Sequence, residues 1–249
     1  TPFSTPRPVV DHMGRVVMVL AGRPRDEDWD SLCRDAYASI MKARARCSFT
    51  PEQTNHRRGS YPVLPIGVSF GGGQRMPGNL AHSQTNKAAL EALVRLPPIR
   101  RLAGFAAATV AAFAPRLYRY YSTTMNAIFS SNPTLRRNFT NSAFPSTTFN
   151  FGPMVATVPH FDTANLSFGW CSITALGSFD STRGGHIIAW ALGLVIRFPS
   201  GATIDLPSAI FEHSNVTIQE GETRASFTQY AAGGLFRYVA NGLQTDKQL

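Results

Sequence analysis

The chain has 249 residues, of which 43% are hydrophobic and 16% charged, and its formal net charge at pH 7 is +9. This composition is typical of an ordered globular protein, and no apolar run of about 18 residues predicts a membrane span. A chain of this length forms one large β domain or two smaller domains, and we expect a single domain over residues 1–249.

The positive charge is concentrated in the N-terminal part. Residues 1–140 contain 19 Lys and Arg against 8 Asp and Glu, whereas residues 141–249 contain 5 against 7. Clusters such as Arg57 and Arg58 would attract a polyanion, which makes nucleic acid the candidate partner. The alternative is a set of solvated helix faces in a basic protein.

The three cysteines, Cys33, Cys47 and Cys171, are unevenly spaced and form no CxxC motif. This pattern favours neither a disulfide framework nor a zinc site. We therefore expect a reducing, intracellular environment.

The N-terminal part is predicted to be largely helical. An arm over residues 1–25 ends in the strand-like run RVVMVLAG, and SYPVLPIGVSFGGGQ predicts a strand that runs into a glycine turn. From Asp26 to about Cys47, apolar residues recur at helical spacing, with acids in the first turn and bases in the last. Further helices are predicted near residues 86–96, 100–113 and 116–130.

After Asn141 the chain changes to short apolar runs broken by Gly, Pro, Asn and Asp, a pattern typical of a β-sandwich or jelly roll. The sequence therefore predicts an α+β fold. A double-stranded β-helix (jelly-roll, cupin-like) core over residues 141–249 would be supported by a basic, helical region over residues 1–140. The eight predicted strands are TTFNF, MVATVPHF, SFGWCSITALG, HIIAWAL, LVIRFP, ATIDLP, AIFEHSNVTI and TRASFTQY.

Three residues in this region suit a metal ion. His160 and Asp162 stand two residues apart at the end of the predicted strand MVATVPHF, so both side chains would point to one face. With His213, from a later strand, they would form the facial triad of non-haem Fe(II) oxygenases, which leaves positions open for a cosubstrate and dioxygen. An HxD pair alone also fits a turn with a hydrogen-bonded core histidine.

Arg224 and Ser226 follow His213 on the next predicted strand and would face inward together. A buried guanidinium needs a carboxylate partner, since an unpaired buried charge costs several kcal/mol. The remote carboxylate of 2-oxoglutarate would supply that partner, held by the two-pronged geometry that Arg provides.

With these motifs the chain resembles the TET/JBP group of Fe(II)- and 2-oxoglutarate-dependent nucleic-acid dioxygenases, in the form found in basidiomycete fungi. The HxD, distant His and R-x-S elements are complete, and the resemblance extends from GRVVMVLAG to FRYVANG. The similar strings are YPVLPIGVSFGGGQ, LRRNF, FNFGP, SFGWCSITALGSFD, GGHIIAWALGLVIRFPSGATIDLPSAI, HSNVTIQEGETRASFTQY and AAGGLFRYVANG.

The resemblance implies a role for several further residues. His186 would touch the cosubstrate, the alternative being a turn-capping histidine. Asn150 would reach the inner carboxylate of 2-oxoglutarate, as in AlkB-type relatives. Asn165 would contact the flipped base, although DTAN also favours an Asx turn. Tyr230 would pack the base pocket or belong to the core. Where animal TET enzymes carry a base-holding His, this chain has Ala232, so the identity of the base is open.

The resemblance implies iron ligation by His160, Asp162 and His213, a 2-oxoglutarate clamp of Arg224 and Ser226, and oxidation of a methyl group on a DNA base. 5-Methylcytosine and N6-methyladenine are the candidate bases, in double-stranded DNA and in the nucleus. Two alternatives stay open: a 2-oxoglutarate-dependent hydroxylase of protein or small molecules, and a non-catalytic jelly-roll binding module.

Overall fold

Thirteen short strands and six α-helices make up the part of the chain, residues 3–248, that the computed structural model describes. The strands are β1 (Arg7–Val10), β2 (Val16–Gly22), β3 (Asn55–His56), β4 (Gly59–Ser60), β5 (Val63–Ser69), β6 (Gly78–Asn79), β7 (Ser146–Asn150), β8 (Cys171–Ser178), β9 (Ile187–Ala189), β10 (Leu194–Ile196), β11 (Thr203–Leu206), β12 (His213–Asn215) and β13 (Thr223–Tyr230). The helices are α1 (Trp29–Arg44), α2 (Pro51–Thr54), α3 (Gln84–Arg95), α4 (Pro97–Phe113), α5 (Pro115–Ser131) and α6 (Gly233–Ala240).

Two sheets face each other and enclose the interior of the β core. The larger has the strand order β1-β2-β11-β8-β13-β7-β5-β6, and the smaller has the order β10-β9-β12. Ile187 of the smaller sheet packs in one apolar cluster with Ala175 and Ile204 of the larger. The predicted α+β class with a double-stranded β-helix core is confirmed.

The central strand β13 alternates between two environments. Ala225 and Phe227 face outward and pack against residues of α1, α3 and α4, while Arg224 and Ser226 point to the opposite, inner face. Burial of a phenylalanine side chain contributes roughly 1.5–3 kcal/mol. Packing of the outward apolar residues therefore fixes the orientation of β13, so that the Arg224 side chain points into the interior.

The four longer predicted helices are confirmed as α1, α3, α4 and α5, with Pro97 and Pro115 in first turns, where a missing amide hydrogen is tolerated. Helix α6 was not predicted. Within residues 3–248, no helix is long and apolar enough to cross a membrane.

The larger sheet extends beyond the region predicted to form it. Strands β1, β2, β5 and β6 come from residues before 141, and β2 and β5 pair with β11 and β7 respectively. Residues 1–140, predicted to be largely helical, therefore also supply half of this sheet, and β2 and β5 confirm the strands predicted in RVVMVLAG and SYPVLPIGVSFGGGQ. The start of the predicted N-terminal arm, residues 1 and 2, lies outside the described residues.

One predicted strand, MVATVPHF, is wrong. Residues 153–162, here called the linking segment, make backbone hydrogen bonds to several different partners: Pro153 and Val155 to Arg224, Thr157 to Asn215, Val158 to Arg58, and His160 to His213. Pro153 and Pro159 have no amide hydrogen, so they cannot continue a strand ladder. The segment is irregular, and its backbone hydrogen bonds join it to β12, β13 and the β3–β4 hairpin.

Candidate metal and cosubstrate site

The linking segment and β12 bring the three predicted metal ligands together. His160 and His213 form a reciprocal pair of backbone hydrogen bonds, each 3.1 Å long. The Nε2 atoms of His160 and His213 each lie 3.9 Å from an oxygen of Asp162. One ligand atom from each of the three residues lies within 4.8 Å of the others. Two imidazoles and a carboxylate at these separations can hold a divalent metal ion.

Both imidazoles are oriented by backbone carbonyl groups. The Nδ1 atom of His160 lies 2.8 Å from the carbonyl oxygen of Val158, and that of His213 lies 2.9 Å from that of Phe211. Because a carbonyl oxygen only accepts, Nδ1 carries the proton in each neutral ring. The Nε2 lone pairs are therefore free for a metal.

The electrostatic environment favours neutral histidine. Burial, followed by the nearby His213, lowers the pKa of His160 to about 4. An imidazole with this pKa is neutral at physiological pH and needs no deprotonation before it binds a metal. Asp162 keeps 17% of its side chain exposed, and Nη2 of Arg57 lies 3.7 Å from its Oδ1 atom.

Arg224 lies deep inside the β core. It is 1% exposed, and its Nη1 donates to the carbonyl oxygen of Val155 at 3.0 Å. Its Nε has no partner, and no carboxylate of residues 3–248 pairs with the guanidinium. Burial lowers the pKa of Arg224 to about 10, which leaves it charged at neutral pH. A buried cation in this state fits a dicarboxylate ligand.

Two more buried polar groups beside Arg224 lack partners. Asn150 lies opposite Ser226, and its Nδ2 donates to the Ser226 hydroxyl at 2.8 Å, but its Oδ1 has no partner. Because that hydroxyl can donate or accept, the Asn150 amide can present either end to a ligand. The hydroxyl of Tyr61 is also buried without a partner, and the ring packs against Val155. The residues present therefore fit 2-oxoglutarate.

Tyr61 was not identified from the sequence. It lies in a loop more than 150 residues from Arg224, and only the fold brings the two together. A lone Tyr before a proline carries no local signal that distinguishes it from a core residue.

A cavity of about 300 Å³ lies beside Asp162, between the β3–β4 hairpin and the inner face of the larger sheet. The predicted substrate residues Asn165 and Tyr230 both line it. The Asn165 amide donates to the Ser208 hydroxyl at 3.0 Å. Ala232, the position that departs from the family pattern, pairs with Asn165 in an isolated β-bridge. The complete lining is His56, Arg57, Arg58, Val63, Pro65, Thr148, Asp162, Ala164, Asn165, Thr228 and Tyr230.

The structure does not group His186 with the metal ligands. Its side chain is half-buried just before β9, and its carbonyl oxygen accepts from the amide of Val216. Its proposed contact with the cosubstrate stays a prediction. Arg57 and Arg58 line the cavity, whereas the sequence suggested only that they belong to a basic surface.

Comparison with known proteins supports the fold. No protein-family model and no curated protein sequence matches the chain. Among solved structures, the chain is similar to NgTET1 in complex with 5mC DNA, with a TM-score of 0.63 and 17% identity over 92% of this chain and 76% of that one.

Two weaker structural similarities have TM-scores below 0.5 and support no further conclusion. OsALKBH1 has a TM-score of 0.47 at 11% identity over 90% of this chain and 97% of that one. An oxidoreductase of the 2OG-Fe(II) oxygenase family from Burkholderia pseudomallei has a TM-score of 0.42 at 18% identity over 78% and 76%. The similarity to NgTET1, at 17% identity, shows a shared fold.

Proposed function

We propose that the chain is an Fe(II)- and 2-oxoglutarate-dependent dioxygenase that oxidises a methyl group on a DNA base. The observation that carries the proposal is the convergence of His160, Asp162 and His213 in a fold that also buries Arg224 without a carboxylate partner. A non-catalytic module has no need for three free ligand atoms and an unpaired buried cation in one interior.

The residues divide the work between two ends of the site. His160, Asp162 and His213 hold the metal through two Nε2 atoms and a carboxylate. Arg224 binds the remote carboxylate of 2-oxoglutarate, with Ser226, Asn150 and Tyr61 beside it. Bound iron, with 2-oxoglutarate and dioxygen, supplies the oxidising power that amino-acid side chains lack.

The cavity beside Asp162 supports a base as the substrate. Its volume of about 300 Å³ is at the lower end of the range for small-molecule pockets, roughly 300–1,000 Å³. Asn165 and Tyr230 offer an amide and an aromatic ring to a planar, polar group. The similarity in fold to NgTET1, whose structure contains 5mC DNA, supports the same class of substrate.

Access to a base in a duplex requires that the nucleotide be flipped, which costs a few kcal/mol. Phosphate contacts from basic clusters within residues 1–140, such as that of Arg57 and Arg58, offset this cost. We expect turnover on duplex DNA to fall steeply with added salt, and nuclear location is part of the same proposal.

The test is mass spectrometry of nucleosides after incubation with Fe(II), 2-oxoglutarate and air. The substrates are oligonucleotides that contain 5-methylcytosine or N6-methyladenine, as DNA and as RNA, with succinate measured in parallel. We expect an oxidised base on DNA together with succinate. Succinate release stimulated only by a protein or a metabolite would favour the hydroxylase alternative, and failure to retain Fe(II) would favour the binding module.

A further inference from the structure

The β3–β4 hairpin forms one wall of the cavity beside Asp162, and its turn carries Arg57 and Arg58. The sequence identified these two arginines only as a basic cluster and predicted no hairpin here. Its two arginines are the only cationic side chains among the residues that line the cavity.

Two hydrogen bonds and one close backbone approach hold the hairpin against the linking segment. The amide of Val158 donates to the carbonyl oxygen of Arg58 at 2.9 Å, and Nη1 of Arg57 donates to the carbonyl oxygen of Phe161. Gly59 has a φ of +144°, and a Cβ there would come within 2.6 Å of the carbonyl oxygen of Ala156. The hairpin therefore has a fixed position relative to His160 and Asp162.

The two arginines have different surroundings. Arg57 is paired, with Asp162 at 3.7 Å and the carbonyl group of Phe161 as its acceptor. The Arg58 side chain is half-buried, and no acceptor from residues 3–248 pairs with it. Arg58 and Tyr230 both line the cavity.

The cavity lining thus combines the Arg58 guanidinium with neutral polar groups, and its one carboxylate, Asp162, pairs with Arg57. Asn165, Tyr230 and Thr148 suit the edge and face of an uncharged base. A guanidinium in the same lining suits an anion attached to that base, since Arg binds phosphate through two parallel hydrogen bonds. A nucleotide has this combination of a neutral base and a neighbouring phosphate.

We infer that Arg58 binds a phosphate group of the substrate nucleotide, so that the β3–β4 hairpin selects nucleic acid over an uncharged substrate. The inference rests on the proposed function and adds a binding residue to it. Arg57, already engaged with Asp162, has less freedom to make this contact.

The test compares Arg58→Gln and Arg58→Lys with Arg7→Gln as the matched control. Arg7 is exposed on β1, at the opposite edge of the larger sheet from β5. Binding of a fluorescein-labelled methylated duplex to the iron-free protein is measured by anisotropy over a range of salt. Oxidation of the same methylated base is measured in the oligonucleotide and as the free nucleoside.

For Arg58→Gln we expect the Kd for the duplex to rise by roughly 5- to 30-fold and the slope of log K against log salt to fall by about 1. Arg58→Lys should retain part of the affinity, and Arg7→Gln should bind as the wild type does. The loss in kcat/KM should be at least about fivefold larger on the oligonucleotide than on the nucleoside, which carries no phosphate.

Equal affinity of Arg58→Gln and Arg7→Gln for the duplex would overturn the inference. Equal losses on oligonucleotide and nucleoside would also overturn it, because Arg58 would then act on the metal site or the base. Failure of the wild type to oxidise any methylated base would defeat the proposed function alone, since the binding comparison still decides the role of Arg58.

Discussion

The two ends of the site differ in how their polar atoms are satisfied. At the metal end, both histidines use Nδ1 on backbone carbonyl groups, and only the ligand atoms are left free. At the cosubstrate end, Arg224 Nε, Asn150 Oδ1 and Tyr61 Oη are buried and have no partner. An unsatisfied buried polar group costs about 1–3 kcal/mol. The metal end is thus oriented in advance, whereas the cosubstrate end is completed only by a ligand.

The first way to test this contrast is Asp162→Ala. The substitution removes the only carboxylate of the metal cluster, so we expect loss of Fe(II) retention and a fall of turnover to background. Metal content after anaerobic gel filtration and succinate release are the measurements. Asp35→Ala, at an exposed position of α1, is the control. Retention of Fe(II) by the Asp162 variant would refute the assignment.

Arg224→Met tests the other end. We expect the affinity for 2-oxoglutarate to fall roughly 10- to 100-fold, since hydrogen bonds to charged groups contribute about 1.5–3 kcal/mol. The ligand-free protein should lose little stability, because an unpaired buried charge is removed. Calorimetry on the Mn(II)-loaded protein gives the affinity, and denaturant unfolding gives the free energy. A large loss of stability without a change in affinity would make Arg224 structural.

Tyr61→Phe should have a smaller effect. The variant removes one buried hydroxyl that has no partner in the ligand-free protein, so the free energy of unfolding should not decrease. Affinity for 2-oxoglutarate should fall roughly 2- to 10-fold, the loss expected for a single hydrogen bond. Tyr120→Phe, at an exposed position, controls for the loss of a phenol. An unchanged affinity would remove Tyr61 from the site.

Asp205→Asn tests a buried carboxyl group that lies at neither the metal end nor the cosubstrate end. Its oxygens accept hydrogen bonds from the Ser172 and Thr109 hydroxyls. Burial raises the pKa of Asp205 to about 7, while the Ser172 and Thr109 hydroxyls oppose that rise. Because this pKa exceeds the unfolded value of about 3.9, the contribution of Asp205 to stability is complete below pH about 4 and is lost as pH rises through about 7.

The Asp205→Asn variant should therefore lose this pH dependence, which is at most about 1.4 kcal/mol per pH unit, and keep its turnover. Denaturant unfolding between pH 5 and 8 measures the slope. The same slope in both proteins would show that Asp205 titrates at its ordinary pKa.

The sequence predicted the parts of the site that depend on local spacing. The HxD pair, His213 and Arg224 were assigned from residue types and strand alternation, and helical periodicity located α1, α3, α4 and α5. Alternation on a strand was the wrong reason for His160 and Asp162, since the linking segment is irregular. Their proximity comes instead from hydrogen bonds to His213 and Ser208.

The remaining parts depend on long-range pairing. Pairing of β5 with β7 decides where Tyr61 lies relative to Asn150, and no local pattern encodes that contact. In the sequence, the hairpin with Arg57 and Arg58 is indistinguishable from an ordinary polar turn. Only the packing of the linking segment against it shows that it belongs to the cavity. Helix α6 was missed because it is short and begins with two glycines, which are poor helix formers.

The linking segment also has a thermodynamic consequence. The same ten residues provide the carbonyl group that holds Arg224 and two of the three metal ligands. If binding at the metal end and binding at the cosubstrate end both order this segment, a ligand at one end raises the affinity at the other. By linkage, the factor is the same in both directions. The metal and 2-oxoglutarate would then each increase the affinity for the other through the linking segment.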